Sequence, residues 1–158
     1  MILHMTPASR GDALWFVPRL RPEDQREAET GSGRSVAFVL QRAHALSREC
    51  YTIRLGVEEE PVALFGVMDD FSQAPGWGVP WLLATSGVTR GSRAIIRSTD
   101  YWFDQRWAPL YPKGLHTAVD VRNTLHVRWL HLAGFVPNRS TILNGHEFLH
   151  LHRSPRSV

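Results

Sequence analysis

The stretch HTAVDVRNTLHVRWLHLAGF, residues 116–135, decides the fold because its periodicity changes once and then stops on a recognisable cap. Residues 116–121 alternate and carry β-compatible side chains, which predicts a short strand. Asn123 is placed to cap a helix, since its side-chain oxygen can accept from a free backbone N–H. Three apolar residues then share one helical stripe: Leu125, Trp129 and Leu132.

The end of this helix is marked by a glycine. Gly134 stands where a left-handed residue is needed after the last turn, and Phe135 can fold back onto that turn as the apolar member of a Schellman cap. The unit therefore reads as strand, cap, short amphipathic helix, glycine stop and next strand.

The remaining elements follow from the same local signals. We expect residues 1–11 to form a loose arm and residues 154–158 a frayed tail. In chain order, the predicted elements are a strand over 13–17, a polar helix starting at residues 21–24, a helix capped by Ser35, strands over 51–57, 62–68 and 80–85, a helix over 92–107, and strands over 140–143 and 147–152 around Asn144-Gly145.

The composition is that of an ordinary folded domain, with 158 residues, 43% of them hydrophobic and 21% charged. We expect one domain over 1–158. Cys50 is the only cysteine, which excludes an internal disulfide and suits a reducing compartment. The N-terminus lacks the apolar core of a signal peptide, and no apolar run is long enough to span a membrane. The net charge of +3 comes without an aromatic-basic motif, so we expect no nucleic-acid partner.

The order of Asn123, a helix and Gly134-Phe135 resembles the last conserved motif of the GCN5-related N-acetyltransferase (GNAT) superfamily. More narrowly, VDVRNTLHVRWLHLAGF at 119–135, EPVALFGV at 60–67 and PWLLAT at 80–85 resemble the small internal virion protein family of short-tailed bacteriophages, which carries an acetyltransferase-like fold.

This resemblance covers roughly residues 10–152 and implies an α+β fold. The expected architecture is a mixed, mostly antiparallel twisted sheet flanked by helices and splayed between its fourth and fifth strands. The predicted order β, α, α, β, β, β, α, β, α, β, β agrees with it. In the superfamily, the pantetheine arm of the cofactor lies in that splay.

The resemblance also implies acetyl-CoA as the cofactor, with its pyrophosphate at the turn before the long helix. That turn here is SGVTRGSR, residues 86–93, which has two glycines but not the close glycine spacing of the family. A helix N-terminus and arginines can still bind phosphate, so a rebuilt site and an ordinary solvated loop both remain open. The candidate cofactor residues are Val88, Arg90, Gly91, Ser92, Arg93 and Asn123.

The proton chemistry expected of the family is incomplete. A tyrosine that protonates the leaving thiolate commonly lies seven residues after the Asn, where this chain has Leu130. The candidate general bases stand at predicted strand ends: Asp69, Asp70, His116 and Asp120. Asp120 fits equally well as a cap or as the partner of Arg122, and Asp69 and Asp70 fit equally well as residues that end a strand.

The histidines near the C-terminus do not predict a metal site. His146, His150 and His152 share parity on one predicted strand, but no cysteine or acid stands at ligand spacing from them. We therefore expect no metal. Trp77, in a Gly/Pro-rich loop, is a candidate contact residue for a partner.

Two functions follow from the resemblance. The first is an N-acetyltransferase-related protein that uses acetyl-CoA and an unknown amine acceptor, with degenerate cofactor and acid motifs. The second is a non-catalytic internal virion or assembly protein that retains the fold and contacts other virion proteins. The corresponding locations are the host cytoplasm and the virion interior.

Overall fold

The computed structural model describes residues 2–72 and 75–156. Seven strands and five α-helices follow one another along the chain: β1 (Leu3–Pro7), α1 (Arg10–Phe16), α2 (Pro22–Ser32), α3 (Val36–Leu46), β2 (Ser47–Leu55), β3 (Glu60–Asp69), β4 (Trp77–Ala84), α4 (Ser92–Asp100), β5 (Gly114–Asp120), α5 (Thr124–Leu132), β6 (Val136–Leu143) and β7 (His146–Arg153). A 3₁₀-helix, Ser86–Gly91, precedes α4, and a π-helix, Tyr101–Trp107, continues it.

The strands form one sheet in the order β1-β2-β3-β4-β5-β7-β6. Every neighbouring pair is antiparallel except β4 and β5, which are parallel. These two strands pair only at Trp77 with Gly114 and at Gly78 with Leu115, and beyond that point they separate. The predicted α+β fold, with its mostly antiparallel sheet splayed between the fourth and fifth strands, is confirmed.

Helices cover both faces of the sheet. On one face, α4, the π-helix and α5 enclose the larger core, whose side chains include Phe65, Trp102 and Trp107. On the other face, α1, α2 and α3 enclose a smaller core around Phe16, Leu40 and Leu64. We call these the α5 face and the α2 face. None of the helices in the described part of the chain is long and apolar enough to cross a membrane.

The N-terminal region differs from the sequence expectation. Residues 3–7, which were expected in a loose arm, pair with β2 as an edge strand, and the strand predicted over 13–17 is helix α1 with a 3₁₀ turn. Ala13 and Phe16 are buried, whereas Leu14 between them is exposed. A spacing of three buries one helical face, and this short apolar run does not distinguish that pattern from a strand. Ser9 caps the helix in a capping box with Asp12.

The other local predictions are largely confirmed. Helix α3 is capped by Ser35, whose hydroxyl accepts from the N–H of Phe38. In the C-terminal hairpin, Asn144 and Gly145 both have positive φ angles, as a type I′ turn requires. Ser154–Arg156 form no regular element, and the rest of the predicted tail lies outside the described residues, as do residues 1, 73 and 74.

Helix α5 ends in the predicted Schellman motif. The N–H of Phe135 donates to the carbonyl of Leu130, and that of Gly134 donates to the carbonyl of His131. Gly134 has φ +89°, the left-handed conformation that this position requires. Phe135 is 2% exposed, so the cap turns its ring back into the larger core.

Candidate functional site

The gap between β4 and β5 is the candidate site, and it widens from an apex at Gly78 and Leu115. The N–H of Thr85 donates to the carbonyl of Val62 in β3. The peptide groups of Ala84 face away from β3: its N–H donates to Asp24 of α2, and its carbonyl accepts from the N–H of Arg21, just before α2. Because peptide groups alternate along a strand, those of Leu82 face the gap as well. No residue of β5 pairs with Leu82 within the described ranges.

A narrow cavity of about 90 Å³ lies beside this gap, on the α5 face. Pro80 and Leu82 of β4 form its floor. Its walls come from α4, the π-helix and α5, mainly from apolar side chains: Ile95, Ile96, Trp102, Phe103, Trp129 and Leu130. A cavity of this volume with an apolar lining suits a slender segment and is too small for a ring system of drug size.

The mouth of the gap holds a buried polar cluster, which we call the acid cluster: Asp24, Glu27, Asn123, Arg21 and His126. Asp24 and Glu27 both come from α2 and are buried. Asp24 accepts from the N–H of Ala84 at 2.9 Å, and Glu27 accepts from the N–H of Asp120 at 2.9 Å. The two carboxylates therefore hold the ends of β4 and β5 at the separation that the gap needs.

Asn123 lies at the centre of this cluster and is fully buried. Its side-chain amide donates to Asp24 at 2.8 Å and to Glu27 at 2.9 Å. The predicted helix does begin directly after Asn123, which is its N-cap residue, but the prediction that the Asn123 side chain accepts from the first turn is wrong, because that side chain makes no capping hydrogen bond. Two buried carboxylates need donors more than the exposed first turn of α5 does, since an unpaired buried charge costs far more than an uncapped N–H.

The acid cluster contains both acidic and basic groups, and each affects the pKa of its neighbours. Burial raises the pKa of Asp24, and the hydrogen bond from Asn123 and the charge of Arg21 oppose that rise only in part. Burial lowers the pKa of His126, but the charge and hydrogen bond of Glu27 outweigh it, so the net shift is upward. His126 Nδ1 contacts Glu27 Oε2 at 2.8 Å and also borders the narrow cavity. This histidine thus links the acid cluster to the cavity.

Asp120, a candidate base, is fully buried beside this cluster. The guanidinium of Arg122 binds both of its carboxylate oxygens, and the backbone N–H of Arg122 donates to one of them. These hydrogen bonds hold the pKa of Asp120 below its usual range. A carboxylate held in this way accepts a proton poorly. The geometry therefore favours Asp120 as the ion-pair partner of Arg122 over Asp120 as a general base.

The residues of the predicted phosphate-binding turn lie in the 3₁₀-helix Ser86–Gly91 and at the start of α4, and their surroundings differ. Val88 and Gly91 are buried, and a Cβ added at Gly91 would lie 2.6 Å from Leu55 Cδ2. This glycine is therefore required by core packing. Ser92 donates its hydroxyl to the carbonyl of Thr89. Arg90 forms an ion pair with Glu60.

Two features of this turn still suit an anion. Arg93, in the first turn of α4, is exposed, and Arg90 is exposed near the end of the 3₁₀-helix that leads into α4. Of the six predicted cofactor residues, the structure thus leaves Arg93 exposed at the helix N-terminus, with Arg90 available once it leaves Glu60.

The remaining candidate bases separate onto opposite faces of the sheet. Asp69 points to the α5 face, where Arg48 binds its carboxylate and the hydroxyl of Tyr111 donates to it at 2.8 Å. These bonds lower the pKa of Asp69. Asp70 points to the α2 face and is hydrogen-bonded to His116 Nε2. His116 directly follows Leu115, so this pair lies at the apex of the gap.

The His116–Asp70 pair has the form of a base and the group that orients it. Burial raises the pKa of Asp70, but the hydrogen bonds from Ser72 and His116 outweigh it and lower the pKa overall. With Nε2–H donating to an ionised Asp70, Nδ1 of His116 is the nitrogen left to accept a proton. The ring of Trp77 packs edge-on against that of His116, with centroids 5.6 Å apart.

No group of three or more metal-ligating residues with suitable geometry occurs within residues 2–72 and 75–156. His150 and His152 lie on the α2 face opposite Ala118 and His116, so the shared parity predicted for them is confirmed. His146 lies at the hairpin turn and is exposed.

Solved structures of acetyltransferases share this arrangement of strands and helices. The chain aligns with AAC(6')-Ib, solved with ribostamycin and coenzyme A, at a TM-score of 0.68 and 13% identity, covering 98% of this chain and 94% of that one. The chain has the GNAT fold. Spermidine N-acetyltransferase from Vibrio cholerae, solved with CoA and spermine, aligns at a TM-score of 0.65 and 14% identity, over 96% of this chain and 94% of that one.

A third relative with the GNAT fold is ribosomal-protein-S5-alanine acetyltransferase from Vibrio fischeri, which aligns at a TM-score of 0.61 and 14% identity over 96% of this chain and 92% of that one. No protein-family model matches the chain, and no curated protein matches its sequence. The narrower resemblance to phage virion proteins is therefore not supported by these comparisons.

The acid cluster is the feature that sequence reasoning missed. The sequence predicts only that a polar helix starts at residues 21–24, and that prediction singles out neither Asp24 nor Glu27. Their spacing of three residues, on a helix with few apolar side chains, places both on one helical face. That spacing was the one available signal, and it does not reveal that the face is buried.

Proposed function

We propose that the protein transfers an acetyl group from acetyl-CoA to a primary amine, with His116 as the general base. The observation that carries the proposal is the position of the His116–Asp70 pair at the apex of the gap, with a narrow apolar cavity on the α5 face and the imidazole on the α2 face. The thioester arm and the amine would thus approach the apex from opposite sides.

The chain's residues fit the cofactor arm better than its phosphates. Apolar side chains and the gap-facing peptide groups of Leu82 suit a thin amide-bearing chain such as pantetheine. At the other end, the exposed guanidinium of Arg93 at the start of α4 suits phosphate. Acetyl-CoA, when bound, supplies the thioester carbonyl that the amine attacks.

The roles of the side chains follow from this placement. Nδ1 of His116 accepts the proton that the amine loses as its C–N bond forms and the C–S bond breaks, and Asp70 stabilises the imidazolium. The departing thiolate takes its proton from water, because Leu130 occupies the position of the family's tyrosine and has no proton to donate. A thiolate is a sufficiently good leaving group for this to suffice.

Thermal unfolding with acetyl-CoA tests the proposal directly. A ligand at one hundred times its dissociation constant stabilises the folded state by about 2.7 kcal/mol, which raises the melting temperature by several degrees. Arg93→Gln should reduce the shift, and Arg128→Gln, which changes an exposed arginine of α5, should not. Absence of any shift at millimolar acetyl-CoA contradicts the proposal.

A second candidate function is a non-catalytic virion or assembly component that retains the fold. It is favoured by the departures from the family's motifs, because the turn at 86–93 lacks the close glycine spacing and Leu130 stands where the family has its tyrosine. For this role we expect the protein in purified phage particles and no thermal shift with acetyl-CoA. Absence from particles, together with a cofactor-induced shift, contradicts it.

A further inference from the structure

A second concave site lies on the α2 face, beside the base. We call it the histidine cleft; its volume is about 290 Å³ and it is lined by Trp77, His116, Asn138, Arg139, His150 and His152. Strands β4, β5, β6 and β7 all contribute to it, so a rigid sheet holds its walls. The cleft therefore adjoins the gap at its apex, where His116 belongs to both.

The charge of the histidine cleft is set by one arginine. Within the described ranges, no carboxylate lies within ion-pair distance of Arg139. The carboxylate nearest to the lining is that of Asp70, which is bonded to His116 and to Ser72. The cleft thus presents an uncompensated cation and no free carboxylate.

Two further imidazoles line the cleft beside this arginine. Burial and the charge of Arg139 lower the pKa of His150, so this ring favours its neutral form, and its Nε2 lies 2.7 Å from Thr141 Oγ1. Nδ1 of His152 is buried without a hydrogen-bond partner from the described residues. The exposed guanidinium of Arg139 is the group of the cleft that an anionic ligand group, a carboxylate or a phosphate, would pair with.

We propose that the histidine cleft binds the acceptor, and that the acceptor is a small primary amine that also carries an anionic group, either a carboxylate or a phosphate, bound by Arg139. The amine then points to His116 and the remainder of the molecule packs against Trp77. This inference rests on the proposed function, because it specifies the acceptor of that reaction.

The same charges argue against a polycationic acceptor. A polyamine needs several carboxylates, since each ammonium group must be paired when it leaves water. In the histidine cleft it would instead meet Arg139. The volume of about 290 Å³ also favours a molecule of amino-acid size over a protein segment.

Calorimetric titration of the full chain without cofactor tests the inference. Two probes carry an anionic group as well as the amine: phenylalanine has a carboxylate and O-phosphoethanolamine has a phosphate. The two probes without an anionic group are phenylalaninamide and spermidine. We expect at least one anionic probe to bind ten-fold or more tightly than both of the others, and the tighter of the two identifies the anion. Equal or tighter binding of phenylalaninamide or spermidine overturns the inference, as does no binding of any probe at millimolar concentration.

Substitution of the arginine provides the matched comparison. Arg139→Gln should weaken the preferred anionic probe about ten-fold and leave phenylalaninamide unchanged, whereas Arg128→Gln should change neither. An unchanged affinity of Arg139→Gln for the anionic probe overturns the inference. Circular dichroism of both variants establishes that they are folded.

Failure of this inference is distinguishable from failure of the proposed function. If anionic amines bind in a way that depends on Arg139 but acetyl-CoA causes no thermal shift, the inference about the histidine cleft holds and the proposed transfer reaction is contradicted. If phenylalaninamide and phenylalanine are acetylated equally well, the proposed reaction holds and the assigned class of acceptor is contradicted.

Discussion

Asn123 donates its side-chain amide to Asp24 over 2.8 Å, although 99 residues separate the two in the chain. Asp24 also accepts from the N–H of Ala84 at the end of β4. A single carboxylate therefore joins α2, β4 and the beginning of α5. The gap between β4 and β5 is held open by buried polar groups as well as by the helices that pack around it.

Replacing the amide of Asn123 should be costly. Asn123→Ala removes donors from two buried carboxylates, and hydrogen bonds to charged groups contribute about 1.5–3 kcal/mol each. We expect the free energy of unfolding, measured in urea, to fall by about 3 kcal/mol. Asn138→Ala, at an exposed position of β6, should change it by less than about 0.5 kcal/mol. A loss of only about 1 kcal/mol for Asn123→Ala would instead suit a simple helix cap.

The pairing of His126 with Glu27 should make stability depend on pH. The pKa of His126 is raised in the folded state, so its contribution is fully present below the unfolded value near 6.5 and is lost as pH rises through the folded value. The stability difference between the wild type and His126→Gln should therefore be larger at pH 6 than at pH 9. Urea denaturation at both pH values measures it. His131→Gln, exposed on the same helix, should show no such change, and a difference for His126→Gln that is independent of pH contradicts the pairing.

Gly66 should tolerate no side chain. A Cβ there would lie 2.5 Å from the backbone oxygen of Glu49, which cannot move without breaking the β2–β3 pairing. We expect Gly66→Ala to lower the melting temperature, with a loss of about 1–3 kcal/mol from overpacking. Gly11→Ala, in helix α1 with only ordinary contacts, should leave it unchanged or raise it. Equal melting temperatures for the two variants would contradict the close approach.

The single cysteine should be unreactive in the folded protein. Burial raises the pKa of Cys50 to about 12, so almost none of it is thiolate at pH 8. A disulfide reagent such as DTNB should label the native chain slowly and label one thiol rapidly in denaturant. Rapid labelling of the native protein would show that β2 opens locally at this position.

If the protein is an acetyltransferase, Asp70 acts as a positioning residue through His116. Asp70→Asn removes the charge that orients and stabilises the imidazole, and we expect kcat to fall about 100-fold with KM for the acceptor nearly unchanged. Asp69→Asn is the matched control, because its side chain lies on the other face with Arg48 and Tyr111. A fall in kcat for Asp69→Asn as large as that for Asp70→Asn would contradict the assignment.

Local patterns predicted most of the elements correctly but could not resolve every one. The Schellman cap at Gly134 depends on the backbone freedom of one residue, and the hairpin at Asn144-Gly145 depends on two, so both can be recognised from a few letters. The apolar run over 13–17 was mistaken for a strand, because its helical burial shows only when α1 packs on the sheet.

The arrangement of the candidate site depends on partners that are distant in the chain. His116 was among the candidate bases, but nothing local distinguished it from Asp69 and Asp120. The pairing with Asp70 spans 46 residues and depends on the register at which β3, β4 and β5 meet. Asn123 was recognised by its motif and given the wrong partner.

The sequence by itself determined the order of the elements, the caps and turns that end them, and the residue types available for chemistry. These depend on backbone preferences and apolar periodicity, which act over a few residues. Only the tertiary structure decided that Asp24, Glu27 and Asn123 are buried together and that His116 lies at the apex of the gap. A buried polar group takes whichever partner the packing of distant segments supplies, and that partner is not encoded near it in the chain.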